Sequence, residues 1–226
     1  MPIDYTKYPF DIRIRHHVSS NLYFPLSQQS IQFIDTYPPL VNNPNWGDYF
    51  KNSKAPNILD IGCGMGKFLL DLSFESPNDN LLGIEVRNSP VTWINEVIAG
   101  EKLTNVHALW YSVVNRLDFI ETESIDKISY FFPDPWFKEK HKKRRAFKIE
   151  FIEDCFRVLK KGSILYLQTD IKDVYNHQLK LLNEFNNSNS QFELFVPEEW
   201  DFPKTDQEIH CIKKGFEYWR LCAKKI

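Results

Sequence analysis

Asp134 sits between two prolines in the run FFPDPWFKEKHKKRR, residues 131–145. Pro133 and Pro135 each lock their own φ and push the preceding residue out of the helical region, so the carboxylate rides on a segment with little freedom. An ionised carboxylate only accepts hydrogen bonds, which suits it to hold the N–H edge of a polar heterocycle and to stabilise positive charge there. The cations that follow suit a polyanion around that target. Seven Lys or Arg fall between Lys138 and Lys148, with Glu139 and Glu150 as the nearest acids. This pattern predicts catalysis on a base within folded RNA; the plainer alternatives are a helix-capping turn for Asp134 and a solvated helix face for the cations. A second set of residues lies upstream in LDIGCGMG, where Asp60 precedes Gly62, Gly64 and Gly66, and Glu85 follows about 19 residues later. Glycines there let the backbone turn tightly and approach a ligand that a side chain would exclude.

These groups need a frame that brings them together. Short apolar runs at Ile58–Ile61, Leu81–Glu85, Val106–Trp110, 128–132 and 164–169 read as strands. Stretches near Lys67–Glu75, 90–99, 114–120, 147–159 and 174–185 read as helices. The fourth of these puts Phe147, Phe151, Cys155, Val158 and Leu159 on one face at helical spacing. The alternation predicts an α/β fold, a mostly parallel sheet with helices on both faces. Strand-like pieces at 192–196 and 216–222 predict an antiparallel C-terminal edge. In such a sheet the glycine turn and the end of the fourth strand both lie at the carboxyl ends of strands, where ligands bind. Residues 1–50, rich in Pro, Tyr and Asn, read as an N-terminal arm or cap on a domain spanning 51–226. One helix is predicted in that arm at 27–37, stopped by Pro38 and Pro39, and NNSNS at 186–190 reads as a loop.

Composition narrows the classes. A chain of 226 residues, 42% hydrophobic, can bury a substantial core as one domain. No run of eighteen apolar residues is present and the N-terminus lacks the order of a secretory signal, so neither a membrane span nor export is expected. Four cysteines, Cys63, Cys155, Cys211 and Cys222, form no C-x-x-C pair and favour neither a disulfide framework nor zinc. A reduced, cytoplasmic protein without a metal is the expectation. The net charge of -2 does not announce a nucleic-acid partner, but local clusters do: besides the central run, Arg13, Arg15, His16 and His17 near the start and Lys213, Lys214, Lys224 and Lys225 near the end. Trp136 and Phe137 read either as stacking platforms for a base or as core.

The glycine spacing discriminates between cofactors. A dinucleotide site usually has G-x-G-x-x-G facing a pyrophosphate. Here the order is acid-x-G-x-G-x-G, which resembles the class I S-adenosylmethionine methyltransferases, with a nicotinamide or flavin enzyme as the alternative. The run F-F-P-D-P-W-x-K-x-x-H-x-K-R-R, with Q-T-D at 168–170 and T-x-x-E at 205–208, resembles the tRNA (guanine-N7)-methyltransferase family over roughly residues 57–220. The resemblance implies a Rossmann-like fold and methyl transfer from S-adenosyl-L-methionine to the variable-loop guanine of tRNA. It implies Asp134 as the catalytic acid, and Asp60, Gly62, Gly64, Gly66 and Glu85 as cofactor contacts. Lys138, Asp170, Thr205 and Glu208 become substrate-site residues. Apart from the resemblance, the place of Lys142, Lys143, Arg144 and Arg145 soon after Asp134 reads as phosphate contact. Where many members hold adenine with Asp or Asn, this chain reads WYSVVN, which leaves Ser112 or a backbone amide for that contact. Some members work with a WD-repeat partner; the compact length here predicts a chain that acts without one. Another RNA base, a small-molecule acceptor, or RNA binding without catalysis are the competing readings.

Overall fold

The computed structural model describes residues 3–10, 20–29, 36–186 and 191–226. The basic cluster at Arg13–His17, most of the helix expected at 27–37 and most of the NNSNS segment lie outside the described residues. From residue 57 onward the chain builds a seven-stranded sheet in the order β3-β2-β1-β4-β5-β7-β6. The strands are β1 Ile58–Ile61, β2 Leu81–Glu85, β3 Val106–Trp110, β4 Ile125–Phe131, β5 Leu159–Thr169, β6 Phe192–Phe195 and β7 Trp219–Lys225. β1 to β5 pair in parallel, while β7 runs antiparallel to both β5 and β6. β1 and β2 are buried along their whole length, as strands covered on both faces require.

Helices α1 Lys67–Glu75 and α2 Asn88–Gly100 cover one face, α4 Ile149–Val158 and α5 Lys172–Asn186 the other; α3 is a single turn, Glu139–Lys142, and α6 is Asp206–Lys214. Two apolar clusters follow from this layering. Phe68, Leu69, Leu72, Ile94 and Val97 fill the first; Phe147, Phe151, Ile152, Cys155, Val158 and Leu182 fill the second. The described N-terminal residues pack on this body: Tyr8 Oη donates to Glu101 at 2.9 Å, and Trp93 Nε1 donates to the Tyr8 carbonyl at 2.9 Å.

Three differences from the sequence expectation have physical causes. At 114–120 there is only a 3-10 turn, Val113–Asn115, ended by Arg116 at φ 73°. The backbone beyond it is satisfied from α4 instead: Leu117 N donates to Asp154 Oδ2, and Arg157 donates to the carbonyls of Leu117 and Ile120. An unforeseen helix, α6, starts at an N-cap, Thr205, whose hydroxyl accepts from Glu208 N at 3.0 Å, and it stops at Gly215 with φ 68°. That stop delays the last strand to Trp219, three residues later than expected.

Strand order reverses at β1, since β2 lies on one side of it and β4 on the other. The crevice outside the carboxyl ends of β1 and β4 is therefore the topological switch point, the preferred ligand site of an open parallel sheet. The glycine turn leaves β1 there and the P-D-P segment leaves β4 there.

Candidate active site

Asp60 is the third residue of β1 and pairs in register with Ser129 of β4. It is 3% exposed, and Ser129 Oγ donates to its Oδ1 at 2.7 Å. Burial, reinforced by the Glu85 charge and only partly offset by Ser129, pushes its pKa up to about 7. The turn that follows uses left-handed φ at Gly62, Gly64 and Gly66 (76°, 57° and 74°). A Cβ on Gly66 would lie 2.6 Å from Ile94 Cγ1, so the turn and α2 approach as closely as they do only with glycine there.

Glu85 closes β2 with its carboxylate already saturated. Gly64 N donates to Oε2 at 3.0 Å, while Arg87 N and Nε donate to Oε1 at 3.0 and 2.8 Å and Arg87 Nη2 reaches Oε2 at 3.3 Å. Four donors fill the capacity of one carboxylate, so a ribose hydroxyl would reach Glu85 only by displacing part of Arg87. Sequence reasoning missed Arg87; the available signal was a cation two residues beyond the acid that ends β2.

Asp134 is half-buried, and the loop around it is strained at both ends. Phe132 and Trp136 adopt φ of 47° and 44°, a region non-glycine residues avoid at a cost of about 1–3 kcal/mol each. The loop is held in that shape from several directions. Phe132 N donates to the Gln168 carbonyl at 2.7 Å, and Arg145 donates to the Pro135 carbonyl through Nε and Nη2 at 3.0 and 2.7 Å. Arg144 lies over the Trp136 ring, 4.9 Å from its centroid. Tyr23 Oη donates to Asp134 Oδ2, and the Tyr23 ring meets Trp136 edge-on at 5.1 Å.

The basic run divides by exposure. Lys138 and Lys143 are exposed and carry no ion pair among the described residues. Lys142 is drawn between Glu139 and Asp173 at 2.6 and 3.2 Å. Arg145, expected on the phosphate-facing surface, is instead 4% exposed and turned inward to Pro135 and Asp173. The turn after α3 rolls it to the inner side, where a planar guanidinium bridges a carbonyl and a carboxylate well. The aromatic pair divides too: Trp136 packs, and Phe137 is 67% exposed beside Lys138.

Two chambers meet at Gly62, Gly64, Phe131 and Phe132. The larger, about 220 Å³, is bounded by Tyr23, Glu85, Arg87 and Asp134. The smaller, about 170 Å³, is bounded by Asp60, the glycine turn, Thr205 and Gln207. Thr205 is spent on capping α6, Asp170 accepts from Gln207 at 2.7 Å, and Glu208 is buried in an ion pair with Arg220 at 2.7 Å. Buried beside them, Glu208 Oε2, Arg220 Nε and both amide atoms of Gln168 have no hydrogen-bond partner among the described residues. Ser112, expected at the adenine, is buried and donates to the Leu22 carbonyl at 2.9 Å.

A family model described as a putative methyltransferase matches residues 54–221. The tRNA (guanine-N(7)-)-methyltransferase of Prochlorococcus marinus (strain MIT 9515) is 32% identical over 214 residues, covering 91% of this chain and 97% of the relative. The chain belongs to the tRNA (guanine-N7)-methyltransferase family. A second member, from Thermosynechococcus vestitus (strain NIES-2133 / IAM M-273 / BP-1), is 30% identical over 92% of this chain and 93% of its own. Among solved structures, the aminoglycoside resistance methyltransferase NpmB1 superposes with TM-score 0.54 at 16% identity, covering 76% of this chain and 87% of that one. The precorrin-6y C5,15-methyltransferase of Geobacter metallireducens GS-15 gives 0.51 at 17% identity, over 75% and 79%. These likenesses give the chain the class I methyltransferase fold. Family membership leaves no place for the nicotinamide or flavin alternative.

Proposed function

We propose that this protein transfers a methyl group from S-adenosyl-L-methionine to N7 of guanine in tRNA, at the variable loop. The observation that carries the reading is the placement of Asp60, near the carboxyl end of β1, and Asp134, just beyond the adjacent β4, on either side of one crevice at the switch point. The smaller chamber suits a cofactor that brings a positive charge: a buried acid with one side-chain donor, glycine walls, and no spare cation for a phosphate, because Lys67 is tied to Asp71. When bound, the cofactor supplies an electrophilic methyl on a sulfonium sulfur.

In this reading Asp60 faces the cationic part of the cofactor, and Gly62, Gly64 and Gly66 let the backbone close on it. Glu85 with Arg87 forms the wall beside the ribose. Asp134 accepts from the N1–H and N2 amino edge of guanine and favours the positive charge that arrives on the purine as N7 takes the methyl. N7 already holds a lone pair, so no base need remove a proton before attack, and the bond to sulfur breaks as the bond to N7 forms. Alignment is the main task, and good alignment is worth on the order of 7–11 kcal/mol. Lys138 and Lys143 grip the surrounding phosphates, with Lys142 and Arg144 nearby. Asp170, Thr205 and Glu208 act by fixing α6 against the crevice. Residues 1–50 serve as a cap on the catalytic domain at 51–226. The reading assigns no metal and no partner subunit, and places the reaction in the cytoplasm.

The test is incubation with unmodified tRNA and labelled cofactor, followed by mapping of the product nucleoside. We expect 7-methylguanosine in the variable loop. Asp134→Asn is expected to lower turnover by about 10²-fold or more, with cofactor affinity within about twofold of wild type. No 7-methylguanosine from the wild-type protein refutes the acceptor, and wild-type turnover in the variant refutes the role of Asp134.

A further inference from the structure

The described N-terminal segment reaches the reacting end of the crevice through Tyr23, which meets Asp134 and the neighbouring Trp136. Tyr23 is buried, lines the larger chamber and donates its hydroxyl to Asp134 Oδ2. It is fixed from both sides along the chain. The carbonyl of Leu22 accepts from Ser112 Oγ at 2.9 Å, and Leu26 N donates to Asn115 Oδ1 at 2.7 Å. Tyr37 Oη donates to the Phe24 carbonyl at 2.8 Å and accepts from Asn115 Nδ2 at 2.9 Å. Ser112 and Asn115 belong to the turn that follows β3, so the rigid body of the domain holds the segment on either side of Tyr23.

A lone Asp carboxylate is a broad two-fold rotor. A donor fixed on one oxygen sets its plane and leaves the other oxygen to face the chamber. A phenol does this without bringing a charge, so the anion that must stabilise a cationic purine is not neutralised. Burial and the Asp134 charge raise the Tyr23 pKa far above its ordinary value, so the hydroxyl stays a donor throughout the working range. Arg87, the cation nearby, is committed to Glu85. The position expected to hold adenine is likewise spent: the Ser112 hydroxyl is turned to the segment that carries Tyr23.

We propose that Tyr23 is a positioning residue for Asp134 and that Ser112 is the latch that holds its segment in place. The inference rests on the proposed methyl transfer, which the same experiment checks. Turnover, the KM for tRNA, the Kd for S-adenosylhomocysteine and the melting temperature are measured for wild type, Tyr23→Phe, Ser112→Ala, Ser112→Thr and the Tyr23→Phe/Ser112→Ala pair. We expect Tyr23→Phe to lower kcat by about 10- to 100-fold, with KM for tRNA and Kd within about twofold and melting unchanged. Ser112→Ala lowers kcat by a smaller factor, Ser112→Thr restores it, and Ser112→Ala adds nothing once Tyr23 is Phe. Should Tyr23→Phe fail to fold, the Ser112 pair still decides, since it moves the segment with the phenol intact. Wild-type kcat in Tyr23→Phe overturns the proposal. So does a lower KM for tRNA in that variant, which would mean the phenol hydroxyl competes with the base for Asp134. Losses that multiply independently, or that follow the cofactor Kd, overturn it as well. Absence of 7-methylguanosine with wild type removes the underlying reading and this proposal together.

Discussion

At the scale of single residues, the two acids of the crevice differ because their surroundings differ. Asp134 is half-buried on a loop beside solvent-facing lysines, whereas Asp60 is enclosed in the sheet with one hydroxyl donor. With its pKa pushed up to about 7, Asp60 in the ligand-free protein gains its charge only as the pH rises through neutrality. Its contribution to folding is thus favourable below the ordinary carboxylate value and is lost as pH rises through about 7. A bound cation reverses the preference. Cofactor binding below that pH must expel a proton, so the Kd should rise about tenfold for each unit of falling pH and flatten above neutrality. Calorimetric Kd values from pH 5.5 to 8.5, in buffers of different ionisation enthalpy, measure both the trend and the proton released. Asp60→Asn should bind more weakly and with no slope. A flat wild-type profile would mean that no positive charge sits near Asp60.

At the scale of elements, the Asp134 loop depends on a residue that looked like part of the tRNA surface. Arg145 supplies two donors to the Pro135 carbonyl between the strained Phe132 and Trp136 and the rest of the basic run. Arg145→Lys cannot reproduce the fork and leaves that carbonyl underpaired, at a cost of about 1–3 kcal/mol. The expected result is a lower melting temperature and a lower kcat, with the KM for tRNA little changed. A large rise in that KM with unaltered melting would return Arg145 to the phosphate-binding set. The inward turn was not legible in the sequence because six basic residues in a row, Lys140 to Arg145, carry no periodicity that says which one faces in. The first three strands, by contrast, were legible to the residue, since each is a mostly apolar run that starts directly after an asparagine (Asn57, Asn80 and Asn105). α6 was hidden for the opposite reason: DQEIHCIKK is polar, and its signal lay in the caps Thr205 and Gly215 rather than in apolar spacing. The expected helix at 114–120 failed because Asp154 and Arg157, distant in sequence, supply the hydrogen bonds a helix would have made. Asp60, the glycines, Glu85 and Asp134 could be named from local motifs, but Arg87 and Tyr23 join them only through side-chain contacts.

At the scale of the whole molecule, net charge works against a polyanionic partner: the chain carries -2. Attraction must therefore come from a local field that screens within about 8–10 Å at ordinary ionic strength. This makes tRNA affinity steeply salt-dependent and lets the contributors be counted. Each lysine that pairs with a phosphate adds about 0.7–0.9 to the slope of log K against log salt. Lys138 and Lys143 are exposed without an ion pair among the described residues, so Lys138→Ala and Lys143→Ala should each reduce the slope by close to that amount. Lys142→Ala should reduce it by less, because Glu139 and Asp173 already compensate that ammonium; its removal frees Glu139, while Asp173 keeps its pair with Arg145. Filter binding of each variant to unmodified tRNA between 50 and 300 mM salt gives the slopes. Equal slopes for all three lysines and the wild type would place the phosphate contacts elsewhere, with the C-terminal lysines Lys213 and Lys214, exposed at the end of α6, as the next surface to neutralise.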